Sequence, residues 1–340
     1  MLIIILREKI KMWFFKKKKE KTNLTVFAST IIRNVEGDEY SGYLYKINWD
    51  SGNILKKIPI LSQNKETWNE RGGNRGGRGV SIFKDRVYLA TAVTIYIYDF
   101  ELNLLGEITN DLFKGLHELF IVNDGIWVTC TLHDLILKVD FEGNTMFEWW
   151  GSNSKYLQTS LGFESRELNL DFSFPKENFA EHYDRYSKEE RLHINTVWVD
   201  DNNVYILANR KNALIKIYPN EKIVFQDNNL MSPHNGILSI EGNFILNNTQ
   251  KQKLHIYSKE GRFKRSINTK IYKEDLSSQF AKSGWQRGLN NYKKGKVLIG
   301  TSPATIFELD YNKGKLGKKI KLEEKTTHCI HGLTSCIISE

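Results

Sequence analysis

Stacked by period, the chain shows one succession of apolar runs and polar turns repeated six times. A short run rich in leucine, β-branched and aromatic residues recurs as Leu44–Trp49, Ile95–Phe100, Ile136–Phe141, Leu214–Pro219, Leu254–Lys259 and Ile306–Tyr311. Each is followed by a turn (DSGN, ELN, EGN, NEK, EGR, NKGK) whose chemistry suits a tight hairpin. A more polar run then pairs back as an outer strand: NILKKI, NLLGEI, NTMFEW, KIVFQD, GRFKRS and KLGKKI. Upstream of five of these units lies a further pair of strands: GVSIFK with RVYLATA, ELFIVN with GIWVTCT, NTVWVD with VYILANR, GILSIE with NFILNNT, and GLNNYK with KVLIGTS. Four short antiparallel strands per ~40 residues predict the blades of a β-propeller, an all-β fold.

The two ends of the chain supply the sixth blade. The first unit, TVFASTI at 25–31 followed by residues 44–60, lacks an inner strand, and CIHGLTSCII at 329–338 is an inner strand with no blade behind it. Joined, they close a six-bladed ring over residues 23–340. Closure removes two open sheet edges that would otherwise pair with other chains, so a monomer is expected.

Composition agrees with a folded, strand-rich protein. Aromatics make up 12% of the 340 residues and prolines number five. Three cysteines, Cys130, Cys329 and Cys336, are too few and too irregular for a disulfide framework or a thiolate zinc site. A cytoplasmic, reducing location is expected. The net charge of +9 sits mostly in residues 1–22, where eight basic residues oppose two acidic ones. The body is then near neutral, and nucleic acid is not an expected partner. RGGNRGGRG at 71–79 reads as a flexible rim loop presenting Arg78. The tail has its apolar run ahead of its lysines, the reverse of a secretory signal. Two readings are open for it: weak peripheral contact with an anionic membrane, or a frayed or mis-started N-terminus without a role of its own.

The candidate chemistry appears when the inner strands are aligned. At or just before each stands Arg78 (RGV), His117 (HEL), His193 (HIN), His234 (HNG), Arg287 (RGL) or His331 (HGL). Four of the chain's eight histidines share this one register, while His255 lies in a third strand outside it and is expected to tolerate alanine. Inner strands line a propeller's channel, so the six side chains should converge at one mouth. Four neutral imidazoles can share a divalent ion, zinc or iron, and the arginines can clamp an anion. Asn195 and Asn235, close behind their histidines, and Asn209 and Asn247, in turns facing the same mouth, are candidate substrate-binding or imidazole-orienting residues. A gap of 76 residues between His117 and His193, against 39 to 53 elsewhere, marks an insertion at 150–190. Its aromatic content suggests a lid, with His182, Tyr183 and Arg185 as contacts.

With these units the chain resembles six-bladed propellers of the NHL, SMP-30/gluconolactonase and peptidylglycine-amidating-lyase kind. SPHNG at 232–236 and WQRGL at 285–289 resemble motifs of an uncharacterised family of bacterial propeller proteins. The amidating-lyase likeness implies His117, His193, His234 and His331 as metal ligands, with Arg78 and Arg287 as catalytic arginines. No Asp or Glu occupies these six positions, which sets the chain apart from SMP-30 lactonases with their acidic ligands. The expected function is a metal-dependent enzyme, lyase- or hydrolase-like with an iron oxygenase as a variant, acting on a small anionic molecule. A non-catalytic scaffold or ligand-binding sensor is the alternative.

Overall fold

A computed structural model describes residues 22–33, 40–61, 76–166, 186–272 and 284–339. These residues form six four-stranded antiparallel sheets, the blades of a six-bladed propeller. Blades 1 to 6 place their innermost strands at His328–Ser339, Val80–Phe83, Leu116–Val122, Ile194–Asp200, Pro233–Leu238 and Arg287–Lys293. Each of these strands touches the innermost strand of the next blade, so the ring closes on itself. Closure is by the C-terminal strand, which runs beside Thr22–Ile32 from Ser339 opposite Thr22 to His328 opposite Ile32.

The middle strands are apolar almost throughout because both of their faces are covered. Gly125–Cys130 is buried along its whole length. Neighbouring residues on such a strand serve different interfaces: Leu44 packs with Val80 and Val87 of blade 2, whereas Tyr45 packs with Leu298 and Ile306 of blade 6. One cluster of this kind fills each gap between blades. At ~1.5–3 kcal/mol per buried aliphatic or aromatic side chain, these six clusters dominate stability. The outer strands face water on one side. Lys315–Lys321 is exposed except at Ile320, and lysines on such a rim discourage edge-to-edge pairing.

Part of the insertion is described. Ser154 Oγ accepts a hydrogen bond from the Leu157 amide at 3.1 Å and caps the helix Lys155–Leu161, which ends at Gly162 with φ 62°. Leu157 and Leu161 pack into the interface between blades 3 and 4. The expected lid contacts His182, Tyr183 and Arg185, the tail up to residue 21, and residues 71–75 of the arginine–glycine loop lie outside the described residues. Among the described residues no helix is long and apolar enough to cross a membrane.

Candidate metal and anion site

The innermost strands share an irregularity where the aligned residues sit. In blades 3 to 6 and again in blade 1, the inner strand carries one residue more than its neighbour at this point: around His117, after Ile194, at Asn235, at Gly288 and at His331. Such bulges bend a strand and re-aim its side chains. Glycine follows three of the six residues for a steric reason. A Cβ on Gly332 would lie 2.2 Å from the Arg78 carbonyl oxygen, and one on Gly79 would lie 2.8 Å from Glu118 Cα. Adjacent inner strands are simply too close there for a side chain.

The register brings the side chains together. Ring centroids of His117 and His331 are 4.4 Å apart, those of His117 and His234 5.6 Å, His117 and His193 6.1 Å, and His193 and His234 6.4 Å. Arg287 Nη1 donates to Nε2 of His117 at 3.0 Å and to Nε2 of His331 at 3.2 Å. Arg78 is buried, and its Nη1 donates to the Leu116 carbonyl at 2.7 Å. One ring nitrogen from each of His117, His193 and His234 lies within 4.8 Å of the other two, so these three form a candidate metal triad. His331 stands outside that set.

Two triad members have their outer nitrogens fixed. His193 Nδ1 is 2.6 Å from Glu190 Oε2, and Arg210 holds the same carboxylate oxygen at 3.2 Å. His234 Nδ1 donates to the Ser232 carbonyl at 2.8 Å. In both rings the proton then belongs on Nδ1 and the lone pair on Nε2, the arrangement found behind histidine ligands of metals. Nε2 of His234 is buried with no hydrogen-bond partner, and an orphan acceptor of this kind calls for a ligand or water. His193, Ser232 and Asn235 adopt φ of 51°, 53° and 48°, a left-handed backbone that costs non-glycine residues roughly 1–3 kcal/mol each. The turn before His193 is pinned by the fully buried Asp134, whose carboxylate accepts from the amides of Arg191, Leu192 and His193 at 2.6, 3.1 and 2.8 Å.

Burial and nearby cations hold three of the four imidazoles toward their neutral form. Burial, then His331 and Arg287, hold His117 well below the usual histidine value; burial and Arg287 do the same to His234 and His331. Burial pushes Glu118 up to about 8, against the hydrogen bond of 2.8 Å that it accepts from Asn235 Nδ2. That value favours the protonated carboxyl at neutral pH.

The candidate asparagines are tied to backbone around this mouth. Asn195 and Asn209 donate to the Pro233 carbonyl at 2.9 and 2.8 Å, beside His234. Asn247 donates to the Gly288 carbonyl at 3.3 Å, and Asn235 Oδ1 accepts from the Gly288 amide at 2.9 Å while its Nδ2 holds Glu118. Their observed contacts orient the strand ends that carry His234 and Arg287. His255 is away from the ring, as its strand implies, but it is buried and bonded at both nitrogens. Its Nε2 accepts from Asn248 at 3.0 Å, and Nδ1 is 3.3 Å from the Tyr257 hydroxyl, which donates to Asp227 at 2.7 Å. Alanine there would remove contacts inside the blade and leave those of the ring in place.

Sequence reasoning missed Glu190, Asp134, Glu118, Arg33 and Trp285. Glu190, three residues before His193, and Trp285, inside WQRGL, were within reach of local inspection. Asp134 meets its turn from another blade and left no local trace. Arg33 lowers the proton affinity of His234 and His331, and its guanidinium and that of Arg287 each lie 5.9 Å from the Trp285 ring.

No protein-family model matches the chain, and no curated protein sequence matches it. Solved structures do. A protein of unknown function from Bacteroides caccae is 12% identical with a TM-score of 0.59, covering 94% of this chain and 100% of that one. A chain of a nidogen/laminin complex is 11% identical with a TM-score of 0.58, covering 92% and 98%. A catalytically inactive histidine-to-alanine variant of virginiamycin B lyase from Staphylococcus aureus, solved with quinupristin, is 13% identical with a TM-score of 0.50, covering 91% and 87%. At these identities the likeness is one of fold.

Proposed function

We propose that this propeller is a metal-dependent enzyme acting on a small anionic molecule at the channel mouth, with His117, His193 and His234 holding a divalent zinc or iron ion. The observation that carries this reading is the pair of held Nδ1 atoms on His193 and His234, which leaves their Nε2 lone pairs for a ligand. The donor set fits zinc or iron(II), both of which accept imidazole nitrogen. A bound ion would supply Lewis acidity or a water of lowered pKa.

The chain's own residues do the rest. Glu190 and the Ser232 carbonyl orient two ligands, and Asp134 holds the turn that presents one of them. Arg33, Arg78 and Arg287 make the mouth positive, which suits a carboxylate or phosphate group. Burial pushes the Glu118 carboxyl up to about 8, so it can hold or give a proton near neutral pH. Axial histidines flanked by arginines are similar to those of peptidylglycine-amidating lyases, and SPHNG and WQRGL keep the resemblance to an uncharacterised bacterial family. The S. aureus lyase, inactive as a histidine-to-alanine variant, is a precedent for histidine-dependent lyase chemistry on this scaffold.

Elemental analysis after metal-replete expression should find about one zinc or iron per chain at pH 7. A His193→Ala, His234→Ala double variant should bring it near zero and lose little more than either single change, because both act on one ion. Full occupancy in the double variant overturns the reading. One observation favours an anion sensor instead, namely that Arg287 already bridges two imidazoles. Stabilisation by sulfate in a chain that takes up no metal would select that alternative.

A further inference from the structure

Arg287 offers both hydrogens of one nitrogen to two rings, Nε2 of His117 and Nε2 of His331. A guanidinium only donates, so both Nε2 atoms accept, and in each neutral ring the proton sits on Nδ1. Consistently, Nδ1 of His117 and Nδ1 of His331 are both buried without a hydrogen-bond partner. A neutral imidazole has one lone pair for a metal. On His117 that lone pair is the one Arg287 occupies.

An ion in the triad and the guanidinium therefore compete for a single atom, and they also repel each other as cations. Something must draw Arg287 away before His117 can act as a ligand. The partner a guanidinium takes most strongly is an oxyanion, bonded through its fork of donors. We propose that Arg287 is a positioning residue that holds the triad incomplete, and that an oxyanion, the carboxylate or phosphate of the substrate, completes it by drawing the guanidinium off His117. The inference rests on the metal reading above and adds a rule to it: anion and metal bind with positive, reciprocal coupling. The Trp285 ring, 5.9 Å from the guanidinium, offers a flat face for Arg287 to lie against once it has left.

The test is calorimetric titration of zinc into the metal-free full-length chain, in sodium sulfate and in sodium chloride of equal ionic strength. The wild type should bind zinc about 5- to 10-fold more tightly in sulfate. Arg287→Ala should bind zinc more tightly than the wild type in chloride, and equally in both salts. An Arg287→Ala chain that binds no tighter in chloride, or that keeps the sulfate response, overturns the coupling. Should that variant fail to fold, the wild-type comparison still decides, together with imidazole nitrogen NMR of the zinc-free protein. His117 and His331 should both appear as Nδ1–H tautomers, and a proton on Nε2 of His117 overturns the proposal. Zinc binding that is equal in both salts in the wild type sinks the coupling alone. Absence of zinc binding in either salt sinks the metal reading, and the coupling with it.

Discussion

The corner of the ring built by blades 4 and 5, and the bridge that Arg287 of blade 6 makes to blades 3 and 1, carry histidine at one register, yet they engage it at opposite nitrogens. At the first corner, Glu190 and the Ser232 carbonyl take the Nδ1 protons of His193 and His234 and leave lone pairs on Nε2. At the second, Arg287 takes the Nε2 lone pairs of His117 and His331 and leaves protons on Nδ1. One pair of rings is thus left with an unengaged acceptor and the other with an unengaged donor. A repeated fold delivers a residue to a place; the neighbour that touches its far nitrogen decides what it presents.

The comparison is broken most completely by removing one side of it. Deleting residues 326–340 takes away His331 together with the innermost strand of blade 1, leaving Thr22–Ile32 with an open edge. The expected result is loss of the cooperative thermal transition, and a native-like melt would contradict closure by this strand. A finer cut is Glu190→Gln, which keeps the shape but removes the charge behind His193. Zinc affinity should fall about 10- to 100-fold with the melt preserved, the opposite direction to Arg287→Ala; an unchanged affinity would separate Glu190 from the site.

The donor corner can be read through its proton affinity. His331 in the folded chain lies well below its ordinary value of 6.5 because of burial and then Arg287. The folded protein therefore excludes a proton that the unfolded chain takes up below pH 6.5. The stability this contributes is present above that pH and shrinks as the pH falls toward the folded value. Compared by urea unfolding with His331→Gln, the wild type should lose about 1.4 kcal/mol more per pH unit below 6.5. Parallel pH profiles would mean that His331 is not held neutral. Smallest at the ring is His255→Ala, which should leave zinc affinity unchanged while costing roughly 1–3 kcal/mol of stability through its two lost hydrogen bonds. A changed zinc affinity there would show that the blade, and not the mouth, sets the site.

How much of this was legible differs between fold and site. The propeller could be read because each blade repeats the same local pattern, and because the half-blades at 25–60 and 329–338 complement each other. Positions Arg78, His117, His193, His234, Arg287 and His331 could be read for the same reason, since a common register in a ring implies a common mouth. The roles were not legible. His331 and His117 look alike in sequence as HG and HE after an apolar residue, and nothing local says that one arginine bonds both. Nor could His255 be ranked, because its partners Asn248 and Tyr257 are visible only once the strands are paired.

By itself, then, the sequence determined the number of blades, the strand that closes them, and which residues reach the channel mouth, because hydrophobic periodicity and turn chemistry act over a few residues at a time. The tertiary structure decided which nitrogen each imidazole offers, where the charges lie around it, and that Asp134, distant along the chain, pins the turn of His193. Those properties come from contacts between blades. Tautomer and proton affinity depend on burial and on the atom a few ångströms away, and that atom belongs to another repeat.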